Sequence, residues 1–238
     1  MVMTLRTVVM VTLLGMAAAH QMLWGNCREV KPFPNFSPDR FNGTWYVMKK
    51  TVTTSRCFST IFNWQGDDIF KVHEISTPIL SDLLPFRATV TNEGTFTMDA
   101  QTPAKMKLSW DGNLLKHMIS TYFVVVDTDY DNYAVDIECQ SWRIFKRISA
   151  TILSRTDKLS QEIIDKVEKM LKEDFEIDIS RLSTVDQSKC FSPDEVDYKV
   201  NIDENGLSFL GLLNDKKLLT LDNAKDVDEY LGVTDPTN

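Results

Sequence analysis

Between Gly43 and Arg155, short apolar stretches alternate with turn residues at intervals of roughly 8–14 positions, a spacing typical of all-β sandwiches and barrels. Polar, Gly-containing or Asp-rich segments separate many of them, as at 66–68, 92–94, 111–113 and 129–132. The pattern predicts strands over 44–52, 57–65, 69–76, 87–91, 105–110, 120–127, 133–140 and 149–154. Eight strands are enough to close a barrel whose interior holds one small ligand.

The segment after Ser160 has the period of a helix instead. Its apolar residues fall at positions i, i+1, i+4, i+7 and i+8, namely Ile163, Ile164, Val167, Met170 and Leu171. Ser160 is the predicted N-cap, and acidic Glu162 suits the first turn. A single apolar stripe predicts a helix packed on the outside of the sheet; docking on a partner or a membrane is the alternative.

Residues 1–19 have the character of a signal peptide. Arg6 is the only charge before an apolar or small-residue run that ends in Ala17-Ala18-Ala19. The run is too short to span a membrane, which takes about 20 apolar residues, so no transmembrane segment is expected. We therefore predict a secreted, extracellular protein whose mature chain begins near His20. A buried N-terminal helix is the alternative.

Composition and charge narrow the function classes. With 43% hydrophobic and 25% charged residues, the 238-residue chain has a globular composition. Eleven Asp/Glu and four Lys follow Cys190, so most of the net charge of −8 lies in the tail and the body is nearly neutral. No basic run is present, so nucleic acid is not an expected partner. We interpret 191–238 as an acidic C-terminal extension, either weakly ordered or serving as a lid or partner-binding segment.

The chain has four cysteines, Cys27, Cys57, Cys139 and Cys190. An even number in a secreted protein predicts two disulfides, and three connectivities are open. The cysteines are widely spaced without a C-x-x-C, and the three histidines are scattered. No metal site is therefore expected.

Three short motifs, taken in order, resemble the lipocalin family. Asn42-Gly43-Thr44-Trp45-Tyr46 matches the family's G-x-W motif, Thr128-Asp129-Tyr130 matches its T-D-Y loop, and Arg155 ends the last predicted strand. The segments 35–41 and 184–190 are similar to the apolipoprotein D, Lazarillo and insect bilin-binding subgroup. The resemblance covers about 27–190, which sets a lipocalin domain at 20–190.

The resemblance implies a fold and a set of structural residues. The fold is an all-β, eight-stranded antiparallel up-and-down barrel with one C-terminal α-helix packed outside. Gly43, Trp45, Thr128, Asp129, Tyr130 and Arg155 form the structural motif, with Arg155 over Trp45 at a closed end. The implied disulfides are Cys27–Cys139 and Cys57–Cys190.

Strand alternation then predicts which side chains face the interior, because a disulfide-bonded cysteine on the wall must point outward. The predicted ligand-binding residues are Val47, Phe58, Thr60, Phe62, Trp64, Thr121, Phe123, Val125, Ala134, Asp136, Thr151 and Leu153. Lys49, Glu138 and Ser149 are predicted to face inward as well. The lining is mainly apolar, with hydroxyls that could orient a ligand.

Asp136 and Glu138 are unusual in an apolar interior, because buried carboxyls must be paired, solvated or protonated. Lys49 is one candidate partner. Alternatively, the carboxyls favour a ligand with donor groups, such as the pyrrole N–H groups of a bile pigment. An interior filled by its own side chains is the competing interpretation of the whole lining.

These observations predict an extracellular carrier of a small hydrophobic ligand such as a lipid, fatty acid, sterol, retinoid, carotenoid or bilin. No cofactor is expected, and a bound lipid or tetrapyrrole pigment would be cargo. A lipoprotein or a cell-surface receptor is a candidate partner. One alternative is a secreted protein-binding, signalling or stress-response lipocalin acting through its loops or acidic tail. The other, a lipid-isomerising enzyme, would need a free cavity thiol, so we expect no enzyme.

Two sequons predict N-glycosylation, Asn35-Phe36-Ser37 and Asn42-Gly43-Thr44. Pro38 follows the first sequon, which disfavours its use.

Overall fold

The computed structural model describes residues 21–78, 87–110, 121–142, 144–203, 206–211 and 218–220. The predicted signal peptide lies outside the described residues. The strands are β1 (Gln21–Trp24), β2 (Gly43–Thr51), β3 (Ser55–Trp64), β4 (Ile69–Pro78), β5 (Ala88–Met98), β6 (Lys105–Trp110), β7 (Thr121–Thr128), β8 (Tyr133–Trp142), β9 (Phe145–Ser154), β10 (Leu182–Thr184), β11 (Tyr198–Asp203), β12 (Gly206–Gly211) and β13 (Leu218–Thr220). The helices are α1 (Pro38–Phe41) and α2 (Gln161–Phe175), with 3₁₀ turns at Ile179–Arg181 and Pro193–Glu195.

Strands β2 to β9 form a closed barrel. Each pairs antiparallel with the next along the chain, and β9 returns to pair antiparallel with β2. The predicted eight-stranded up-and-down barrel is therefore confirmed. β1 lies against β9, and β10 lies against β2.

The segment 92–94, predicted as a turn, is instead part of β5. Glu93 pairs with His73 and Gly94 pairs with Val72 in the β4–β5 ladder. Gly94 serves close packing: a Cβ there would lie 2.7 Å from Cε3 of Trp110, whose ring packs against the core. The turn prediction was wrong because the glycine makes room for a neighbouring ring rather than reversing the chain.

One end of the barrel is closed by aromatic side chains. Trp45 is fully buried, its Nε1–H donates to the Phe41 carbonyl at 2.8 Å, and Phe41 also contacts Phe62 and Phe70. The Arg155 guanidinium lies 3.7 Å above the Trp45 ring. The structure thus places the motif residues where the sequence predicted a closed end.

Helix α2 packs on the outside of the barrel wall. It begins after Ser160, whose Oγ accepts from the Ile163 N–H at 3.3 Å, as predicted for the N-cap. Val167 and Leu171 are fully buried in a second core with Ile137 and Ile152 of the outer barrel face. Among the described residues, no helix combines the length and the apolar character needed to cross a membrane.

Both disulfides implied by the resemblance are present. Cys27 bonds to Cys139, and Cys57 bonds to Cys190, at sequence separations of 112 and 133. Loops of this size correspond to about 4–5 kcal/mol each in the chain-entropy model. The disulfides attach both ends of the barrel segment to its wall.

The chain after Cys190 continues along the barrel. The Phe191 ring lies 5.0 Å from the Arg56 guanidinium carbon and 5.4 Å from that of Arg87. The Asp197 N–H donates to the Arg87 carbonyl at 2.9 Å, and β11 then pairs in parallel with β5 over 88–92. β6 pairs with β5 only from Gly94 onward, so β11 uses the part of the β5 edge that β6 leaves free.

Candidate functional site

Six of the twelve predicted ligand-binding residues surround one cavity in the barrel interior. Thr60, Phe62, Phe123, Asp136, Thr151 and Leu153 line this cavity together with Lys50, Glu74, Phe96 and Glu138. Val47, Val125 and Ala134 instead belong to the apolar core that contains Trp45, and Trp64 packs against that core. Phe58 and Thr121 are also buried.

The cavity is small, with a volume of about 10 Å³, which is room for one water molecule. Aromatic rings fill the space around it: Phe62, Phe96 and Phe123 contact one another with ring centroids 5.0 to 5.8 Å apart. The described side chains around this cavity therefore leave little free space, which is the competing interpretation raised by the sequence for this part of the barrel. A drug-sized ligand would need a cavity of about 300 Å³ or more.

A β-bulge changes the faces of the end of β2. The β2–β9 register shifts between Val47 and Lys49, so the alternation that leads from Trp45 to Val47 does not continue. Lys49 points outward and pairs with Glu168 of α2. Lys50 takes the inward position and lines the cavity. The predicted inward orientation of Lys49, and its pairing with Asp136 or Glu138, were wrong for this reason.

Lys50 is the centre of a charged cluster inside the barrel. Its Nζ lies 3.5 Å from Glu74 Oε1, 3.8 Å from Glu138 Oε1 and 5.2 Å from the Phe58 ring centroid. The side chains of Lys50, Glu74 and Glu138 are 16%, 15% and 11% exposed. Burial disfavours the ammonium, but the three neighbouring carboxyls outweigh it and raise the pKa of Lys50. Lys50 therefore remains charged at neutral pH and is a poor nucleophile.

Asp136 lies beside this cluster and is only 2% exposed. Burial, reinforced by the charge of Glu138, raises the pKa of Asp136 well above its usual value, and burial also raises the pKa of Glu74. Among the described residues, Asp136 Oδ1 and Ser149 Oγ are buried atoms without a hydrogen-bond partner. The described interior thus contains polar atoms without hydrogen-bond partners beside its aromatic rings.

The T-D-Y loop performs a structural task at the closed end. Asp129 Oδ1 accepts from the backbone N–H groups of Asp131, Asn132 and Tyr133, and Thr128 Oγ1 donates to the Tyr133 carbonyl. Tyr130 Oη accepts from the Ser37 N–H at 2.8 Å. These bonds hold the T-D-Y loop in place, and Arg155 also donates a hydrogen bond to this loop.

Arg155 connects three segments at that end. Its guanidinium donates to the carbonyls of Arg40, Tyr130 and Thr44 at 2.7, 2.9 and 3.1 Å. Gly43 has φ 102°, and a Cβ at this position would lie 3.5 Å from an Arg155 nitrogen. Glycine is required here mainly by the left-handed backbone.

The asparagines of both sequons lie on the surface. Asn35 and Asn42 are both exposed, and Asn42 Oδ1 accepts from the Trp64 N–H at 2.8 Å. Glycosylation remains a prediction.

All four cysteines are disulfide-bonded. Within the described ranges, no group of three or more His, Cys, Asp or Glu side chains is placed to hold a metal ion.

Comparison with known proteins agrees with this architecture. The model of the lipocalin / cytosolic fatty-acid binding protein family matches residues 42–189, more than half of the chain. The chain belongs to the lipocalin family. Members of this family carry small hydrophobic ligands.

Two curated relatives of this lipocalin are apolipoproteins D. The protein from Macaca fascicularis is 28% identical over 184 residues, which cover 75% of this chain and 91% of that protein. The protein from Cavia porcellus is 27% identical, with 70% and 85% covered.

Solved lipocalin structures share the fold. Insecticyanin from the tobacco hornworm Manduca sexta superposes with a TM-score of 0.58 at 20% identity, covering 76% of this chain and 96% of that one. Lobster apocrustacyanin A1 gives 0.57 at 18% identity, covering 71% and 92%.

Sequence reasoning missed Lys50, Glu74 and Phe96 of this lipocalin's cavity. Glu74 and Phe96 had a usable signal, because each alternates with buried residues on β4 or β5, such as Val72 and Met98. No faces were assigned to those strands. Lys50 had no such signal, since the bulge that turns it inward depends on the pairing of β2 with β9.

Proposed function

We propose that this lipocalin is an extracellular carrier that holds a small hydrophobic ligand inside the barrel. The observation that carries the proposal is the cavity wall, where Phe62, Phe123 and Leu153 face Thr60 and Thr151. Apolar walls with a few hydroxyls are the usual composition of small-molecule sites. Lipids and tetrapyrrole pigments are the cargo classes that this wall favours.

Ligand entry requires side chains to move, because the present cavity holds about one water. Phe58 and Trp110 lie toward the end of the barrel opposite Trp45, and Trp110 is only partly buried. Neither ring lines the cavity itself, so rotation of both would open a path toward the cavity without disturbing the closed end. We therefore expect binding to change the fluorescence of Trp110.

An extracellular location is supported by three features. The N-terminal residues 1–19 have the composition of a signal peptide, both disulfides suit an oxidising compartment, and both sequon asparagines are exposed. The mature protein would then begin near His20.

The test is to purify the secreted protein and record its absorption spectrum and the mass of any extracted ligand. Emptied protein is then titrated with retinol, palmitate and biliverdin, following tryptophan fluorescence. We expect at least one probe to bind at micromolar concentration or below. No co-purified ligand and no response to any probe would contradict the carrier function.

A matched pair of variants locates the binding. Thr60→Phe fills the cavity and should abolish the titration, whereas Ser59→Phe places the same ring on the other face of β3 and should leave it unchanged. Equal loss in both variants would mean that the ligand binds outside the barrel.

A second candidate function is protein binding through the loops or the acidic tail. The packed interior and the pairing of β11 with β5 favour it, because the tail is joined to the barrel rather than separate from it. Partner capture by the full chain but not by a chain ending at Cys190, with normal circular dichroism in both, would support this candidate.

A further inference from the structure

Two neighbouring side chains on the inner wall leave polar atoms without partners. Asp136 lines the cavity, and its Oδ1 accepts or donates no hydrogen bond within the described chain; the same holds for Ser149 Oγ. Asp136 pairs with Thr151, and Ser149 pairs with Glu138, in the β8–β9 ladder. The two free atoms therefore belong to successive inward-facing pairs of one wall: Asp136 lines the cavity, and Ser149 lies one pair farther from the closed end. A ligand's polar group that extends the cavity along this wall would meet both.

The cations facing this wall are already committed or distant. The Lys50 ammonium lies between Glu74 and Glu138. Their negative charges offset most of the attraction that Lys50 would exert on a ligand's anionic group. Arg147 is on the inner face of β9 by alternation, two residues beyond Ser149 and about 7 Å farther from the closed end. Within the described residues it forms no ion pair, but the negative charge of Glu138 acts on it and offsets its own. A negative group beside Asp136 would therefore meet mainly carboxylates.

Resting on the proposed carrier function, we propose that the barrel selects ligands whose polar head donates a hydrogen bond, an alcohol or an amine, and rejects a carboxylate head. Asp136 Oδ1 and Ser149 Oγ receive the donor, while the chain of the ligand lies against Phe62, Phe123 and Leu153.

The physical basis is the balance of donors and acceptors in a site with little water. An alcohol or ammonium satisfies atoms that are otherwise buried without partners. A carboxylate can accept from the Ser149 hydroxyl, but it brings no donor of its own and adds a negative charge close to Glu138 and Glu74, where poor screening makes like charges costly. Head-group chemistry, rather than chain length, should therefore decide affinity.

Three probes with one chain length test this. Decan-1-ol, decylamine and decanoate are titrated into the full-length secreted protein at pH 7.5 by calorimetry, at concentrations below micelle formation. We expect decanoate to bind at least about tenfold more weakly than decan-1-ol, a difference of about 1.4 kcal/mol. Equal or tighter binding of decanoate overturns the proposal. Absence of binding by all three probes instead contradicts the carrier function itself.

Substitutions assign the preference to named atoms. Glu138→Gln removes a negative charge from the site and should strengthen decanoate binding several-fold, and Glu74→Gln serves the same purpose should the first variant not fold. Glu173→Gln, on the exposed face of α2, is the control and should change nothing. Asp136→Leu should weaken decan-1-ol binding at least about tenfold. Unchanged decan-1-ol affinity in Asp136→Leu would also overturn the proposal.

Discussion

The two halves of the barrel interior are built on different principles. Around Trp45, rings pack against rings, and the charged Arg155 that covers Trp45 stays at the rim with three carbonyl acceptors. Around Lys50, three carboxyls and one ammonium are buried together, and Asp136 keeps a free oxygen. Apolar side chains stabilise a fold whenever they are buried, without the need for a specific partner. Buried charges stabilise it only when each has its partner in place.

This difference indicates which half is available for function. A buried ion cluster is often no more stable than an apolar core of the same volume, so its presence needs another reason. Perturbed carboxyls beside a cavity are typical of binding sites, although structural networks perturb pKa values too. The Trp45 half supports the fold, and the Lys50 half is where we place the ligand.

The largest expected effect comes from removing the central cation. Lys50→Met leaves Glu74 and Glu138 buried without a counter-charge and should lower the free energy of unfolding by about 3–5 kcal/mol. Lys49→Met, one residue away, removes a single ion pair between the barrel wall and α2, and leaves one carboxylate, Glu168, at 20% exposure instead of two, so it should cost less, about 1–2 kcal/mol. Urea unfolding measures both. Similar losses would mean that the two lysines are not in different environments.

The opposite half is tested at Arg155. Arg155→Ala removes three charged hydrogen bonds and the contact with Trp45, and we expect a loss of about 2–3 kcal/mol. Ligand affinity should stay within about twofold, because Arg155 is not among the residues that line the cavity. Thermal unfolding and the decan-1-ol titration check the two statements. A large loss of affinity would connect the two halves that we treat as separate.

The smallest expected effect is on how the free energy of unfolding changes with pH, with opposite signs at Asp136 and Asp129. The raised pKa of Asp136 means that the folded protein binds a proton that the unfolded chain releases above about pH 4. This contribution to stability is present below the unfolded pKa and is lost as pH rises through the folded pKa. Asp136→Asn should therefore gain stability relative to the natural protein between pH 4 and 8, on the order of 1 kcal/mol.

Asp129, in the closed-end loop, should show the reverse sign. Burial acts against ionisation there, but hydrogen bonds from the Asn132 side chain and the backbone N–H groups prevail and lower the pKa of Asp129. Its contribution is present above the unfolded pKa and is lost as pH falls through the folded pKa. Asp129→Asn should thus lose stability at neutral pH and approach the natural protein in acid. Unfolding curves from pH 3 to 8 compare the two variants, and parallel curves would contradict the contrast.

Much of the site was predictable from alternation alone. Five cavity residues lie on strands whose faces were predicted from one outward cysteine or from Arg155. They are Thr60, Phe62, Asp136, Thr151 and Leu153. The prediction held on β3, β8 and β9 because side-chain direction in a regular strand follows from backbone geometry. It failed after Val47, where one extra residue in β2 exchanges the faces of Lys49 and Lys50.

The amino-acid sequence by itself predicted the eight barrel strands, except for the extent of β5, as well as the outer helix and the three motifs of the closed end, because these depend on residues close together in the chain. Only the tertiary structure decided that Lys50 meets Glu74 and Glu138, that Gly94 accommodates Trp110, and that the cavity beside Asp136 has a volume of about 10 Å³. Each of these depends on strand register and on how side chains from distant segments fill a shared volume. Such packing is a property of the closed barrel and of no single segment.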